Sequence, residues 1–226
     1  MAMKSTFQKF VVAAAGTALS FAVIKANPAQ AASLIQNGSF EIGPNPGSSY
    51  LTLDIGSTAI TGWTVTRDKI DYYGTAWVAA DGNRSLDLNG TPGVGGIAQK
   101  FSTNPGQQYV VTFALAGHDS GLLQELGVGA AGQSAEFFFQ AGTDPTNLGW
   151  ETKSWLFTAV DTETTLEFYS LQTSYKFGGP ALDNVSVVAV SEPASTVPEP
   201  SSLASLLVFG SLASCLRLKR KKTDLI

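Results

Sequence analysis

The strongest constraint on this chain is the period of its apolar residues. From residue 32 to residue 190 no long stretch places apolar side chains every three to four positions. Short apolar runs, β-branched and aromatic, recur instead between clusters of Gly, Ser, Thr, Asn and Asp. A helix needs the longer period to build an apolar stripe, whereas a half-buried strand needs a period of two. Val110–Leu115 is such a run, with the turn signal Asn104-Pro105-Gly106 before it. Ala135–Gln140, Ser154–Thr158 and Thr165–Leu171 are others. In the last of these, Leu166, Phe168 and Ser170 share one face, and Glu167 and Tyr169 the other. In the closing run, Val185, Val187 and Ala189 point one way, and Ser186, Val188 and Val190 the other. Trp63–Val65, Ser85–Leu88 and Ile97–Phe101 read as further strands. Gly121–Gly129 reads as a strand around Leu126–Val128 or as one helical turn, and the strand is preferred. Many short strands at roughly 8–12-residue spacing predict an all-β fold, a jelly-roll β-sandwich over residues 32–190. Trp63 and Trp150 are expected in its core. The chain's one cysteine, Cys215, lies beyond that region, so the domain has no disulfide and no thiol nucleophile. It stands on its own core, for which about 165 residues suffice.

Both ends read as addresses. Lys4 and Lys9, the apolar run Phe10–Ile24 and the small-residue site Ala29-Gln30-Ala31 have the layout of a secretory signal peptide over residues 1–31, cleaved between Ala31 and Ala32. A buried core helix is the alternative there. Residues 191–196 are a polar spacer. Residues 197–222 then join Pro198-Glu199-Pro200 to an apolar helix over 203–218 and to Arg217, Lys219, Arg220, Lys221 and Lys222. Cations after an apolar run stay on the cytoplasmic side, so the tail is expected as a transmembrane helix of a chain otherwise exported; residues 223–226 trail behind it. The ordered motif closely resembles the PEP-CTERM sorting signal of bacterial surface proteins. That resemblance implies processing by a membrane-embedded exosortase, with an ordinary single-span anchor as the alternative.

The net charge of −4 conceals an acidic domain: residues 32–197 hold six Lys or Arg against sixteen Asp or Glu, a net charge of −10. Nucleic-acid binding, which needs a cationic footprint, is excluded on that ground. Catalytic signatures are sparse. His118 is the only histidine, too few for a zinc site in a domain without cysteine, and no Gly-x-Ser-x-Gly turn is present. His118 is therefore assigned to a loop or a partner-facing surface. Gly93-Val94-Gly95-Gly96 lacks the Lys-Ser/Thr of a phosphate loop and reads as a turn. No pair of carboxylates is marked for glycoside hydrolysis, and a polysaccharide hydrolase is kept only as a remote alternative.

Three stretches carry a family likeness: Leu34–Glu41, Ser85–Gly90 with Gly96–Phe101 and Asn104–Gly106, and Gly179–Val187, together with Asn147–Trp150. They resemble the choice-of-anchor C family, itself similar to DUF642 cell-wall proteins and to the galactose-binding-like jelly rolls of carbohydrate-binding modules. The resemblance implies a structural Ca²⁺ held by Glu41 and Asp183, where the first and last strands lie close. The alternative is that both are turn or strand-end residues that hydrogen-bond backbone. Asn37 and Asn184 are expected as turn formers. Sugar binding needs aromatic faces beside polar groups. Tyr72, Tyr73, Trp77 and Asp71 are the carbohydrate-binding candidates, placed on or beside loops. Tyr73 and Trp77 are divided evenly between core and site. The reading is a non-catalytic, carbohydrate-binding-like protein of the cell surface or extracellular matrix, transiently anchored in the inner membrane. Its partners would be an exopolysaccharide or cell-wall glycan. A structural matrix or adhesion protein without a sugar pocket is the alternative.

Overall fold

The computed structural model describes residues 32–90, 93–118, 120–172 and 178–191. The expected signal peptide with Ala31, the Pro198-Glu199-Pro200 motif and the expected apolar helix at 203–218 lie outside the described residues, and Ala32 opens them. Eleven strands follow in order: β1 (Tyr50–Asp54), β2 (Thr64–Arg67), β3 (Lys69–Tyr73), β4 (Ser85–Asp87), β5 (Gly96–Ser102), β6 (Gln108–Gly117), β7 (Leu123–Ala130), β8 (Gln133–Gln140), β9 (Glu151–Thr158), β10 (Glu163–Ser170) and β11 (Pro180–Ala189). They form two antiparallel sheets, ordered β1-β3-β4-β11-β6-β9 and β2-β5-β10-β7-β8. The architecture is the expected all-β jelly-roll sandwich, with no helix among the described residues.

The period of two decides what lies between the sheets. Tyr109, Val111, Phe113 and Leu115 of β6 point inward and are buried, as are Leu166 and Phe168 of β10. Phe113 packs edge-on against Phe168 of the facing sheet, ring centroids 5.0 Å apart. Trp63 is fully buried and donates its indole N–H to the Asn37 carbonyl. On the opposite face of β10, Glu167 accepts from Thr66 and Arg67, and the Arg67 guanidinium lies 3.6 Å over the Tyr169 ring. Burial alone would raise the Glu167 carboxyl; the bonds from Arg67 and Thr66 outweigh it and hold the group below its usual range.

The structure departs from the predicted strands at three places. Residues 69–73, expected on or beside loops, are strand β3, and β1 was not anticipated. The run before Asn37, where the resemblance places a first strand beside the last, is instead a series of bends laid along β11. Leu34 N–H donates to the Val187 carbonyl and Val185 N–H to the Gly38 carbonyl. Asn37 and Asn184 are turn formers as expected, with φ of 54° and 49°. Asn184 sits in a β-bulge, where the pairing with β6 shifts between Asp183 and Ser186. The extra residue lets Leu182, Val185 and Val187 all reach the core and leaves Asp183 on the outer face.

The β7–β8 hairpin turns in two residues, Ala131 (φ 52°) and Gly132 (φ 74°), as the register Ala130↔Gln133 requires. Two positive φ values make this a type I′ turn, which prefers Asn first. Ala131→Asn is therefore expected to raise the thermal midpoint, with a gain of about 1 kcal/mol by denaturant titration.

Candidate functional site on the outer face of the six-stranded sheet

Inward Ile70, Tyr72, Leu86 and Leu182 fix, by alternation, what the other side of the six-stranded sheet carries. Tyr73 and Asp71 of β3, Ser85 and Asp87 of β4, and Ala181 and Asp183 of β11 face outward. The register places Thr52, Asp71, Asp87 and Ala181 in one row across β1, β3, β4 and β11. Outer faces normally meet water, yet Asp71, Ser85, Asp87 and Asp183 are all buried. A cover is provided by the β3–β4 connection, Gly74–Arg84, which folds back over the sheet.

Trp77 is the centre of that cover. Its ring stacks on Tyr73 at 3.6 Å and meets His118 edge-on at 5.4 Å. Tyr73 is on β3 and His118 follows β6, so Trp77 crosses β4 and β11, the strands between them. Tyr50 extends the aromatic row, 5.1 Å from Tyr73, and is 40% exposed. Trp150, expected in the core, packs against its margin and pins the loop by donating its indole N–H to the Val78 carbonyl at 2.8 Å.

Two carboxylates clamp the far end of the loop. Asp183 Oδ2 accepts from the N–H groups of Ala80 and Asp81 at 2.8 and 2.9 Å, and Oδ1 from Asn184 at 2.6 Å. Glu41 Oε1 accepts from Asn83 and Arg84, both at 2.7 Å. Burial pushes the Asp183 carboxyl up to about 7; these N–H donors offset part of that, and the Asp81 charge adds to it. The resemblance brought Glu41 and Asp183 together, and the structure does join them through one loop. Their oxygens, however, face N–H groups, whereas a hard cation takes carbonyl and carboxylate oxygens. Glu41 Oε2 is the one oxygen of the four with no donor among the described residues. As placed, the pair holds backbone N–H groups of the loop and of Asn184. No group of three or more His, Cys, Asp or Glu is gathered for a metal among the described residues.

The four carbohydrate-binding candidates separate. Tyr72 is corrected to a core residue: it points inward, has no exposed surface, and donates its hydroxyl to the Phe40 carbonyl at 2.6 Å. Tyr73, Trp77 and Asp71 lie together on the outer face, in a strand and its covering loop. Asp71 Oδ1 accepts from the Thr52 hydroxyl at 2.6 Å. Sequence reasoning missed Tyr50, Asp87 and Asn89. Asp87 Oδ1 accepts from the N–H groups of Asn89 (2.8 Å) and Gly179 (3.0 Å). Burial pushes the Asp87 carboxyl up to about 8; the Asn89 N–H resists that and the neighbouring Asp71 charge reinforces it. The signal was present in Ser85-Leu86-Asp87-Leu88-Asn89, whose alternation sets three polar residues on one face.

Fold and face together define a jelly-roll domain with a loop-covered aromatic and acidic outer sheet. Residues 33–188 match the family described as "Protein of unknown function (DUF642)", and the chain belongs to that family. Two relatives share its sequence. Halomucin of Haloquadratum walsbyi is 38% identical over 174 residues, 74% of this chain and 2% of that protein. "Protein DUF642 L-GALACTONO-1,4-LACTONE-RESPONSIVE GENE 1" of Arabidopsis thaliana is 26% identical over 171 residues, 71% of this chain and 44% of that one. The chain thus spans less than half the length of either. Among solved structures it is similar to a family 35 carbohydrate-binding module from Clostridium thermocellum. That match has a TM-score of 0.44 and 10% identity, over 62% of this chain and 99% of the module.

Proposed function

We propose that this chain is an exported surface or matrix protein whose DUF642 domain is a non-catalytic glycan-binding module. One observation carries the reading: an aromatic row, Tyr50–Tyr73–Trp77, laid on a sheet face beside Asp71 and open to solvent at Tyr50. Sugar C–H groups pack on aromatic faces while carboxylates and hydroxyls take the sugar's hydroxyl groups. Tyr50 offers the open ring, Tyr73 and Trp77 hold it in place, and the exposed Thr52 with Asp71 supplies polar partners alongside. The signal-peptide and PEP-CTERM-like ends support export and exosortase processing, with choice-of-anchor C as the finer family assignment. The partner is an exopolysaccharide or cell-wall glycan.

Affinity electrophoresis through gels containing a panel of soluble polysaccharides tests this. Retardation on at least one glycan is expected, weakened about tenfold in Tyr50→Ala, in keeping with the roughly 1–1.5 kcal/mol of one aromatic contact. Tyr50 is exposed at an edge strand, so this variant keeps the fold. Equal retardation of the variant, or none on any glycan, would count against the reading. A structural or adhesive role is favoured by the exposed Phe138 and Leu156 on edge strands β8 and β9. Concentration-dependent self-association without glycan retention would select it.

A further inference from the structure

Each sheet has two edges, and three of the four are guarded. β1 is only five residues long. β2 is four, carries a register shift between Val65 and Arg67, and is bonded along its free side by the loop before it: Gly56 N–H donates to the Val65 carbonyl and Val65 N–H to that of Ser57. β9 places Lys153 on its inner face, opposite buried Phe113, in an ion pair with Glu151. The Gln133 side chain covers the end of β9, donating to the Thr158 carbonyl and accepting from Thr158 N–H. Short strands, bulges, inward charges and covering groups keep an edge from pairing with another chain. β8 is different. It runs eight residues in unbroken register with β7, with no proline and no lysine, and its one charge is Glu136. The two-residue turn fixes which of its groups are open. Gln133 is the bonded partner of Ala130 across that turn, so Ala135, Phe137 and Phe139 also bond to β7. Ser134, Glu136, Phe138 and Gln140 turn their N–H and C=O groups away from the sheet. Phe138 is 52% exposed there, and Phe137 is only partly buried.

We propose that β8 pairs antiparallel with β8 of a second copy of this chain, joining two five-stranded sheets into one across a two-fold axis. Open groups must meet open groups, so Ser134, Glu136, Phe138 and Gln140 pair only among themselves. One such register sets Glu136 against its own copy, which like charges disfavour. The next sets Glu136 against Phe138, Ser134 against Gln140, and Phe137 against its own copy on the axis. It opposes no like charges, and it covers Phe138 on the outer face and Phe137 on the inner one. This self-match selects a second copy over an unrelated extended peptide. One strand pair buries less than the roughly 1,200 Å² of a stable interface, so the dimer is weak and concentration-dependent. It leaves β1 with Tyr50, at the far edge of the other sheet, open, and it does not depend on glycan binding.

Cross-linking of the full chain gives the test. Ser134→Cys and Gln140→Cys are made separately in a Cys215→Ser background, so that each chain carries one thiol. In the proposed register Ser134 meets Gln140, whereas each stands about 20 Å from its own copy, at ~3.4 Å per residue along the strand. A short bismaleimide is therefore expected to give about tenfold more covalent dimer from the mixed variants than from either alone at the same total concentration. An excess of the Cys215→Ser chain suppresses this product. An excess of the same chain carrying Glu136→Pro does not, because proline removes an N–H that faces away from β7 and costs the domain no ladder bond. Near-ultraviolet circular dichroism checks that each variant keeps its fold. Equal yields from the mixture and the single variants, as association through the apolar tail gives, would overturn the proposal. So would equal suppression by the Glu136→Pro chain. Absence of cross-linking in the mixture would overturn it too, and leave the edge to an extended peptide of another protein.

Discussion

Asp183→Ala lowers the unfolding free energy by about 3–5 kcal/mol, read as a fall in the urea midpoint at unchanged slope. Three backbone N–H groups lose their acceptor at once, two of them in the covering loop. Each becomes a donor without its acceptor at a part-buried position. The pH dependence is equally specific. The folded carboxyl titrates near 7 and the unfolded one near 3.8, so between these values the folded chain holds more protons. This contribution to stability is complete below about pH 4 and is lost as pH rises through about 7. Asp183→Asn keeps an acceptor, costs less than alanine and flattens that slope. Thermal midpoints of both proteins from pH 4 to pH 8 measure the difference; parallel profiles would refute the assignment.

Gly38→Ala is expected to cost roughly 3 kcal/mol or more, enough to leave much of the chain unfolded at 37 °C. A Cβ at Gly38 would run into the carbonyl oxygen of Val185, and both are backbone-anchored. That close approach lets Gly38 C=O accept from Val185 N–H and ties the first described residues to β11. Gly129→Ala is the control. It lies in β7 with no atom nearer than 3.7 Å to the added carbon, and it should change stability by less than about 1 kcal/mol. Expression yield and the melting temperature separate the two variants. Similar behaviour of both would show that the approach at Gly38 relaxes.

The legible part of the fold was the part with one wet face. Leu166 and Phe168 alternate with Glu167 and Tyr169, and β10 follows. β3 carries no such contrast, because its outer face is roofed by the chain's own loop: Ile70, Asp71, Tyr72 and Tyr73 are all buried. Its residues were therefore read as loop. The same roof explains the mixed fate of the site residues. Tyr72 and Tyr73 look equivalent in sequence, but neighbours in a strand face opposite ways, so one is core and the other part of the aromatic row. Glu41 and Asp183 were paired through resemblance alone. That they hold backbone N–H groups depends on where Ala80–Arg84 falls, which no local pattern encodes.

The loop clamp also dictates an order of events. Asp183 reaches Ala80 across 103 positions of sequence, and Glu41 reaches Asn83 across 42. Glu41 is available as soon as the loop is made, but Asp183 arrives only with the last strand. A chain emerging amino-terminus first, from a ribosome or a translocation pore, therefore carries every aromatic residue of the outer face before it can fasten the roof above them. The covered aromatic face is locked only when the whole domain has emerged, so a truncated or stalled chain lacks it.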